Sequence, residues 1–232
     1  MRVAILETGR PPGDLGARFG AYPAMFERLL QLGPTSSYAV MDGQLPTHPE
    51  DHDAYIVTGS PAGVYDPLPW IDPLMGFLRR SRDKATLVGI CFGHQVMAQA
   101  FGGQVIKSPK GWGVGLHEYQ VVRREPWMDG APSFAIPASH QDQVVVRPPD
   151  AAVIAASEFT PFAGLAYSDK AISFQGHPEF EPPFAQALLH ERRGTRLSVE
   201  VADAAIASLG RPADNRRVGD WILSFLKGQA EA

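Results

Sequence analysis

Short apolar runs alternate with longer amphipathic segments through the first hundred residues of the chain. The apolar runs cover residues 3–6, 38–41, 54–57 and 85–90, and apolar residues recur at helical spacing over 22–32, 71–80 and 95–101. Strands that are apolar on both sides are typical of parallel sheets covered by helices on both faces. The pattern therefore predicts an α/β fold with a mostly parallel central sheet flanked by helices.

The pattern changes from about residue 104 onward. Short strand-like runs follow at 104–106, 118–122, 144–146, 153–155 and 171–174, and helical spacing returns over 185–189, 199–209 and 218–226. We expect several of these strands to be antiparallel or edge strands, which adds a small antiparallel β layer to the fold. Because no repeat or linker interrupts the pattern, residues 1–232 are expected to form a single domain, on which the helical segment 195–232 packs.

Composition and charge exclude several classes of protein. Of the 232 residues, 44% are hydrophobic and 20% are charged, as in soluble globular proteins. The 21 basic and 25 acidic residues give a net charge of −4, so neither nucleic acid nor an anionic membrane is an expected partner. The first apolar run meets Glu7 after four residues, and no run approaches the roughly 18 residues of a membrane span. We therefore expect a cytoplasmic protein.

Cys91 is the sole cysteine of the chain, so no internal disulfide or cysteine-rich zinc site can form. A lone cysteine is most often a small buried apolar residue. This one occupies the centre of residues 89–93, Gly-Ile-Cys-Phe-Gly, between an apolar run and a predicted helix. That spacing is typical of a nucleophile elbow, a tight strand-to-helix turn with no room for side chains at the flanking positions. The helix N-terminus would favour a thiolate and a developing oxyanion.

A thiol with its ordinary pKa of about 8.5 needs a neighbouring base to react at neutral pH. His177 is the best candidate, because it follows a predicted strand and precedes a proline that favours extended backbone. Glu179 projects to the same side of an extended chain and can accept the other imidazole N–H. The alternative is that His177 is a capped loop histidine without a catalytic role. The adjacent proline and Glu179 make the catalytic interpretation the better one only in combination with Cys91. Together the three residues have the chemistry of a nucleophile, a base and an orienting carboxylate.

Three segments together resemble the class I, triad-type glutamine amidotransferases. They are residues 89–95, Gly-Ile-Cys-Phe-Gly-His-Gln, residues 176–179, Gly-His-Pro-Glu, and residues 58–61, Thr-Gly-Ser-Pro. Within this family, residues 5–9, residues 58–60 with 64–66, and residues 89–95 are most similar to the stand-alone subgroup called GMP synthase-like. The resemblance spans most of the chain and implies a flavodoxin-like α/β fold. The family's oxyanion loop commonly has a second glycine before the proline, and Ser60 replaces it here.

The resemblance implies a role for each of these residues. Cys91 attacks the side-chain amide of glutamine and forms a γ-glutamyl thioester. His177 protonates the departing ammonia and then activates water, while Glu179 orients His177. The backbone N–H groups of Ser60 and Phe92 hold the oxyanion. The resemblance implies neither a cofactor nor a metal ion.

Further positions match substrate-binding segments of the family. Gly59 and Gln95 correspond to positions near the bound glutamine. Ser139, His140 and Gln141 belong to a segment whose backbone helps to hold the α-amino and α-carboxylate groups of the substrate. We therefore expect these residues to surround the thiol in the folded protein.

The expected activity is hydrolysis of a γ-glutamyl amide. Glutamine is the first candidate substrate, with ammonia passed to an unknown acceptor or a separate synthetase. The chain has no space for the ATP-pyrophosphatase domain of a GMP synthase, so activity on XMP by this chain alone is not expected. A γ-glutamyl peptidase that cleaves γ-glutamyl peptides or conjugates is an alternative, which a pocket for a larger leaving group would favour. A catalytically quiet regulatory or binding protein is the alternative from another class.

Other features of the sequence favour simpler interpretations. Residues 48–53 contain histidines and acids but lack metal-ligand spacing, so we expect a solvated turn. The glycine-rich residues 110–115 lack the strand and helix of a phosphate loop and are interpreted as a flexible turn near the active site. The pair 192–193 is expected on a solvated helix face, and Arg10 on an ordinary surface loop. His140 could be mistaken for the base but lacks a partner such as Glu179.

Overall fold

The part of the chain that the computed structural model describes, residues 1–168 and 170–230, contains eleven β-strands and seven α-helices. The strands are β1 (Val3–Glu7), β2 (Ser36–Ala39), β3 (Ala54–Val57), β4 (Thr86–Ile90), β5 (Gln104–Lys107), β6 (Gly113–Val121), β7 (Ser133–His140), β8 (Asp142–Val146), β9 (Ala151–Ala156), β10 (Gly164–Tyr167) and β11 (Ala171–Phe174). The helices are α1 (Leu15–Phe19), α2 (Tyr22–Leu30), α3 (Ile71–Ser81), α4 (Phe92–Ala100), α5 (Pro182–Arg192), α6 (Val199–Ser208) and α7 (Asn215–Ala230).

Nine of these strands form one sheet in the order β2-β1-β3-β4-β11-β10-β9-β6-β7. The first five run parallel to one another, and the other four continue the sheet with antiparallel pairs. β5 and β8 form a separate two-stranded antiparallel sheet. The predicted α/β class, with a parallel sheet and a small antiparallel layer, is confirmed. Because parallel strands end at the same edge of a sheet, the loops after β3, β4 and β11 meet there.

Helices cover both faces of the parallel strands. On one face, Phe77 of α3 and Phe92 of α4 join the buried side chains of β3 and β4. On the other face, Phe26 of α2 and Trp221 of α7 pack against β1 and β11. Every residue of β3 and β4 is buried, because both faces of these strands are covered.

A third cluster joins α1, α5 and α6 to the antiparallel part of the sheet, with Leu188 of α5 and Leu116 of β6 in its interior. Gly115 allows α6 to approach closely, since a Cβ there would lie 2.4 Å from Oγ of Ser208. α6 packs on β6, and α7 packs on α2. Residues 231 and 232 of the predicted C-terminal segment lie outside the described residues. None of the described helices has the length and hydropathy needed to cross a membrane.

Some elements differ from the sequence prediction. β2 covers Ser36–Ala39 rather than 38–41, and a 3-10 helix at Val40–Asp42 follows it. β7 is not indicated by the hydrophobic pattern, because Pro137 interrupts it and its ends are polar. β7 forms an edge of the nine-stranded sheet, where a residue without a backbone N–H is tolerated. α4 begins at Phe92 rather than at residue 95, directly after the cysteine.

Candidate active site

Cys91 lies at the turn between β4 and α4, in a backbone conformation that non-glycine residues rarely adopt. Its φ and ψ angles are 54° and −102°. A Cβ on Gly89 would lie 2.6 Å from the carbonyl carbon of Gly93, and a Cβ on Gly93 would lie 2.2 Å from the carbonyl oxygen of Val57. The backbone conformation of Cys91 costs on the order of 1–3 kcal/mol and persists only where the surrounding structure holds it. The turn has the geometry of the predicted nucleophile elbow.

Two backbone hydrogen bonds hold this turn in place. The N–H of Cys91 donates to the carbonyl oxygen of Phe174 at 2.9 Å, at the end of β11. The N–H of Gly93 donates to the carbonyl oxygen of Thr58 at 3.1 Å, directly after β3. Although Cys91 is only 5% exposed, it borders two cavities at this edge of the sheet. A substrate can therefore reach the thiol.

His177 follows β11, and three neighbours hold it. Its backbone N–H donates to the carbonyl oxygen of Pro137 at 2.7 Å. Its imidazole stacks on the ring of Phe180, with centroids 3.9 Å apart and planes 7° apart. Its Nδ1 lies 2.8 Å from Oε1 of Glu179, and both side chains are buried. Because a carboxylate only accepts hydrogen bonds, Nδ1 carries a proton and Nε2 is left to exchange a proton with a reacting group.

The imidazole of His177 also interacts with the side chain of Cys91. Burial lowers the pKa of His177, but the negative charges of the Cys91 thiolate and the Glu179 carboxylate outweigh burial and raise that pKa to about 10. The imidazolium form of His177 is thereby favoured at neutral pH. An imidazolium beside a cysteine can supply a proton for a leaving group.

The loop after β3 brings Gly59 against the same two side chains. A Cβ on Gly59 would lie 2.9 Å from Cε1 of His177 and 3.7 Å from Cβ of Cys91. Thr8, which follows β1, anchors this loop, because its Oγ1 donates to the carbonyl oxygen of Thr58 at 2.9 Å. Three loops at one edge of the sheet thus meet at the thiol.

Two backbone amides beside the thiol have no protein acceptor. Among the described residues, the N–H groups of Ser60 and Phe92 donate no hydrogen bond. Phe92 is the first residue of α4, so its N–H is one that a helix leaves unpaired. Oγ of Ser60 accepts from the N–H of Ala62 at 3.2 Å, which holds the loop at the position where the family has a second glycine. Amides of this kind can stabilise an oxyanion.

The predicted substrate-binding residues lie around Cys91. Gln95, Ser139, His140 and Gln141 border a cavity of about 220 Å³, and Gly59 borders a second cavity. Nε2 of Gln95 donates to the carbonyl oxygen of Asp142 at 2.9 Å, which fixes the amide at the cavity wall. Burial lowers the pKa of His140 to about 3, so its imidazole is neutral at physiological pH. Nδ1 of His140 lies 3.1 Å from the carbonyl oxygen of Asp142, whereas His177 is paired with the carboxylate of Glu179.

Cys91 borders the 220 Å³ cavity and the second, larger cavity of about 390 Å³. Residues that border both cavities are Ser60, Pro61, Cys91, Ser139, Arg192 and Arg196. Tyr22, Phe180 and Leu188 provide an apolar wall of the larger cavity. Sequence reasoning missed Tyr22 and Arg196, because α2 and the segment after α5 are far from the cysteine along the chain.

Arg192 and Arg10 differ from the sequence interpretation. Arg192 is half-buried rather than on a solvated face, and its Nη1 donates to Oγ of Ser139 at 2.5 Å. Its guanidinium lies 5.7 Å from the ring centroid of Trp112. Arg193 is exposed, as predicted. Arg10 borders the larger cavity, so its loop belongs to the site. Trp112 borders the smaller cavity with Cys91, but residues 113–115 belong to β6, so the segment predicted as a flexible turn is in part β-strand.

Residues 48–53 differ from the predicted solvated turn, because Pro49–Asp51 form a 3-10 helix and Pro49 is buried. The backbone N–H of His48 donates to the carboxylate of Asp51 at 2.9 Å, and the ring of His52 contacts that of Tyr38. Across the described ranges, no three histidine, cysteine, aspartate or glutamate side chains are grouped so that they could hold a metal ion.

Comparison with known proteins shows the family of the chain. A family model described as glutamine amidotransferase class-I matches residues 24–192. The chain belongs to the class-I glutamine amidotransferase family. This family member is 31% identical over 244 residues to a glutamine amidotransferase-like protein of Schizosaccharomyces pombe, covering 97% of this chain and 98% of that protein. It is 27% identical over 203 residues to gamma-glutamyl peptidase 3 of Arabidopsis thaliana, covering 82% of each.

The fold of this class-I glutamine amidotransferase is also found in a solved structure. A glutamine amidotransferase from Thermotoga maritima superimposes with a TM-score of 0.77 and 18% sequence identity, covering 100% of both chains. The similarity confirms the predicted family fold.

Proposed function

We propose that the chain hydrolyses a γ-glutamyl amide through a thioester on Cys91, with His177 as acid and base and Glu179 as its orienting carboxylate. One observation carries the proposal. The thiol stands on a strained turn beside a buried imidazole, and two neighbouring negative charges raise the pKa of that imidazole to about 10. Membership of the class-I glutamine amidotransferase family supports the same chemistry.

In the first half-reaction, the Cys91 thiolate attacks the γ-carbonyl carbon of the substrate. The carbonyl oxygen becomes an oxyanion, which accepts hydrogen bonds from the N–H groups of Ser60 and Phe92. Each such donor contributes about 3 kcal/mol to lowering the barrier. When the oxyanion collapses, the C–N bond breaks and the nitrogen takes the proton from Nε2 of His177. The products are the γ-glutamyl thioester and free ammonia or amine.

In the second half-reaction, neutral His177 accepts a proton from a water molecule as the water oxygen attacks the thioester carbon. The C–S bond then breaks, and glutamate leaves. The thiolate and the imidazolium are thereby restored. Glu179 stays ionised throughout and keeps the proton on Nδ1, so Nε2 is the nitrogen that gives and takes the moving proton.

Two substrates fit this chemistry. Glutamine would release ammonia for a separate acceptor, and such a reaction could depend on a partner synthetase. A γ-glutamyl peptide or conjugate would release an amine instead. The cavity of about 390 Å³ beside Cys91 favours this second candidate, because ammonia needs no such space. The similarity to a protein named gamma-glutamyl peptidase 3 agrees with it.

Covalent labelling tests the proposal without knowledge of the natural substrate. The glutamine mimic 6-diazo-5-oxo-L-norleucine should alkylate Cys91 with loss of nitrogen, and peptide mass spectrometry should locate the adduct. Cys91→Ala should carry none. In parallel, glutamate release from glutamine and from γ-glutamyl dipeptides should be measured for both proteins. A wild-type chain that takes no label and releases no glutamate from any of these compounds would favour the catalytically quiet protein.

A further inference from the structure

Arg192 is a half-buried cation without an acidic partner. Among the described residues, no carboxylate lies within ion-pair distance of its guanidinium, whose Nη1 instead donates to the hydroxyl of Ser139. Burial lowers the pKa of Arg192, because it removes part of the water that solvates the guanidinium charge. A buried charge is costly unless it is paired. The position therefore favours an anionic ligand.

Arg196 adds a second positive charge at the same place. It borders both cavities with Arg192, and its charge acts to lower the pKa of Arg192 further. In the described ranges Arg196 also has no ion pair with a carboxylate. Arg193 lies between them in the sequence, is exposed like Arg196 and pairs with Asp203 on α6. Of these three arginines, Arg192 and Arg196 border the cavities and have no carboxylate partner among the described residues.

The two cavities differ in the charges around them. Arg192 and Arg196 border both, but the smaller cavity is also bordered by Asp66, Asp142 and Lys107, so it offers partners for both an ammonium group and a carboxylate. This combination matches the amino-acid end of a γ-glutamyl group. The larger cavity is bordered by Arg10, Arg192 and Arg196 against one acid, Glu191. Of these, Arg10 is already paired with Asp42.

We propose that the larger cavity receives the leaving group of the substrate and that Arg192, with Arg196, binds a carboxylate on it. The inference rests on the proposed hydrolysis at Cys91. It names the substrate class as γ-glutamyl peptides with a free carboxylate on the residue that follows the γ-glutamyl amide. In such a peptide the carboxylate is only two bonds from the scissile nitrogen, so it stays near the thiol. A guanidinium binds a carboxylate through two parallel hydrogen bonds, which also orients the amide.

A matched pair of substrates tests this assignment. We would measure kcat/KM for γ-glutamylglycine and γ-glutamylglycinamide, which differ only in the leaving-group carboxylate. The wild-type chain should prefer the acid at least tenfold. Arg192→Gln should reduce this preference at least tenfold, and Arg196→Gln should reduce it in the same direction. Arg193→Gln, the neighbouring exposed arginine, should retain the wild-type preference.

Three outcomes would overturn the inference. The wild-type chain could treat both substrates alike, Arg192→Gln could leave both kcat/KM values unchanged, or Arg192→Gln could lower both by the same factor. The last outcome would mean that Arg192 holds the γ-glutamyl group or the fold. Arg192→Lys separates a folding defect from lost recognition, since it keeps the charge and should keep part of the preference. The thermal midpoint of each variant would be recorded beside its kinetics.

Binding to Cys91→Ala separates this inference from the proposed hydrolysis. Calorimetric Kd values for the two compounds need no turnover. Cys91→Ala should bind γ-glutamylglycine more tightly than γ-glutamylglycinamide, and the double variant with Arg192→Gln should lose this difference. That result would support carboxylate recognition even if the wild-type chain released no glutamate. Equal Kd values would overturn it even if hydrolysis were observed.

Discussion

Gly59 and His177 lie so close together that no side chain fits between them, because a Cβ on Gly59 would be 2.9 Å from Cε1 of the imidazole. The ring cannot move aside freely, since it stacks on Phe180 and its Nδ1 bonds to Glu179. The loop after β3 and the imidazole that we propose as the base are therefore in direct contact. This contact makes Gly59 a sensitive test of the site.

Gly59→Ala should lower kcat/KM for any γ-glutamyl substrate by about 10²-fold, because a displacement of about 1 Å is enough for such a loss. Gly33→Ala is the matched control, since a Cβ at Gly33 meets nothing within 4 Å. Initial-rate kinetics and the rate of alkylation by 6-diazo-5-oxo-L-norleucine would measure both variants. Wild-type rates in Gly59→Ala would show that the loop and the imidazole need not stay in this arrangement.

Glu179→Gln should lower kcat by about 10²-fold and still leave measurable turnover, because the carboxylate orients the base without reacting. The charge of Glu179 helps to raise the pKa of His177, so its removal should lower that pKa. The alkaline limb of the pH profile, where the imidazolium is lost, should then move to lower pH. Glu181→Gln, two residues further on and exposed, is the control. A loss as complete as in Cys91→Ala would mean that the carboxylate does more than orient.

Cys91→Gly should be more stable than Cys91→Ala by about 1 kcal/mol, because glycine adopts the positive φ of this turn without strain. Neither variant should hydrolyse substrate or take the label. Urea unfolding at neutral pH would give both free energies. At the exposed position 204 within α6, glycine should instead be less stable than alanine, so Ala204→Gly should lower the free energy of unfolding by about 1 kcal/mol. If glycine and alanine at position 91 gave equal stability, the turn would hold no strain.

His94 should make the chain less stable in acid. It is fully buried with its Nδ1 2.8 Å from Oγ of Ser173, and burial lowers its pKa to about 3. In the unfolded chain the same imidazole takes a proton near its ordinary pKa of about 6.5. The unfolded state therefore binds more protons between these two values, and the free energy of unfolding should fall as the pH decreases from about 6.5 towards 3.

Urea unfolding between pH 4.5 and 7 would measure this effect. His94→Gln should show a shallower dependence on pH than the wild-type chain, whatever its stability at pH 7. His190→Gln, which removes an exposed histidine, should keep the wild-type slope. Equal slopes for wild type and His94→Gln would contradict the assignment of a neutral buried imidazole.

Much of the candidate site follows from short stretches of sequence. The glycines at 89 and 93 indicated the elbow because steric exclusion there involves neighbouring residues and one adjacent strand. His177 and Glu179 indicated a pair because extended backbone places residues two apart on one side. In the structure their side chains do meet, at 2.8 Å. The catalytic roles of these residues stay predictions until they are measured.

Other features escaped sequence analysis for physical reasons. Pro137 hides β7 from any pattern of alternating residues, yet its carbonyl oxygen accepts the hydrogen bond that positions His177. Arg192 ends an amphipathic helix, where an arginine is normally solvated. Its burial depends on Trp112 and Ser139, which approach it from distant parts of the chain.

The amino-acid sequence by itself determined the fold class, the strained cysteine and the local pairing of His177 with Glu179, because each depends on contacts among near neighbours or on a regular pattern of apolar residues. Only the tertiary structure decided that two cavities flank Cys91 and that Arg192 and Arg196 border them with no carboxylate partner in the part of the chain that the structure describes. A cavity is the space left between elements that pack from different parts of the chain. Its size and charge are therefore absent from any single segment.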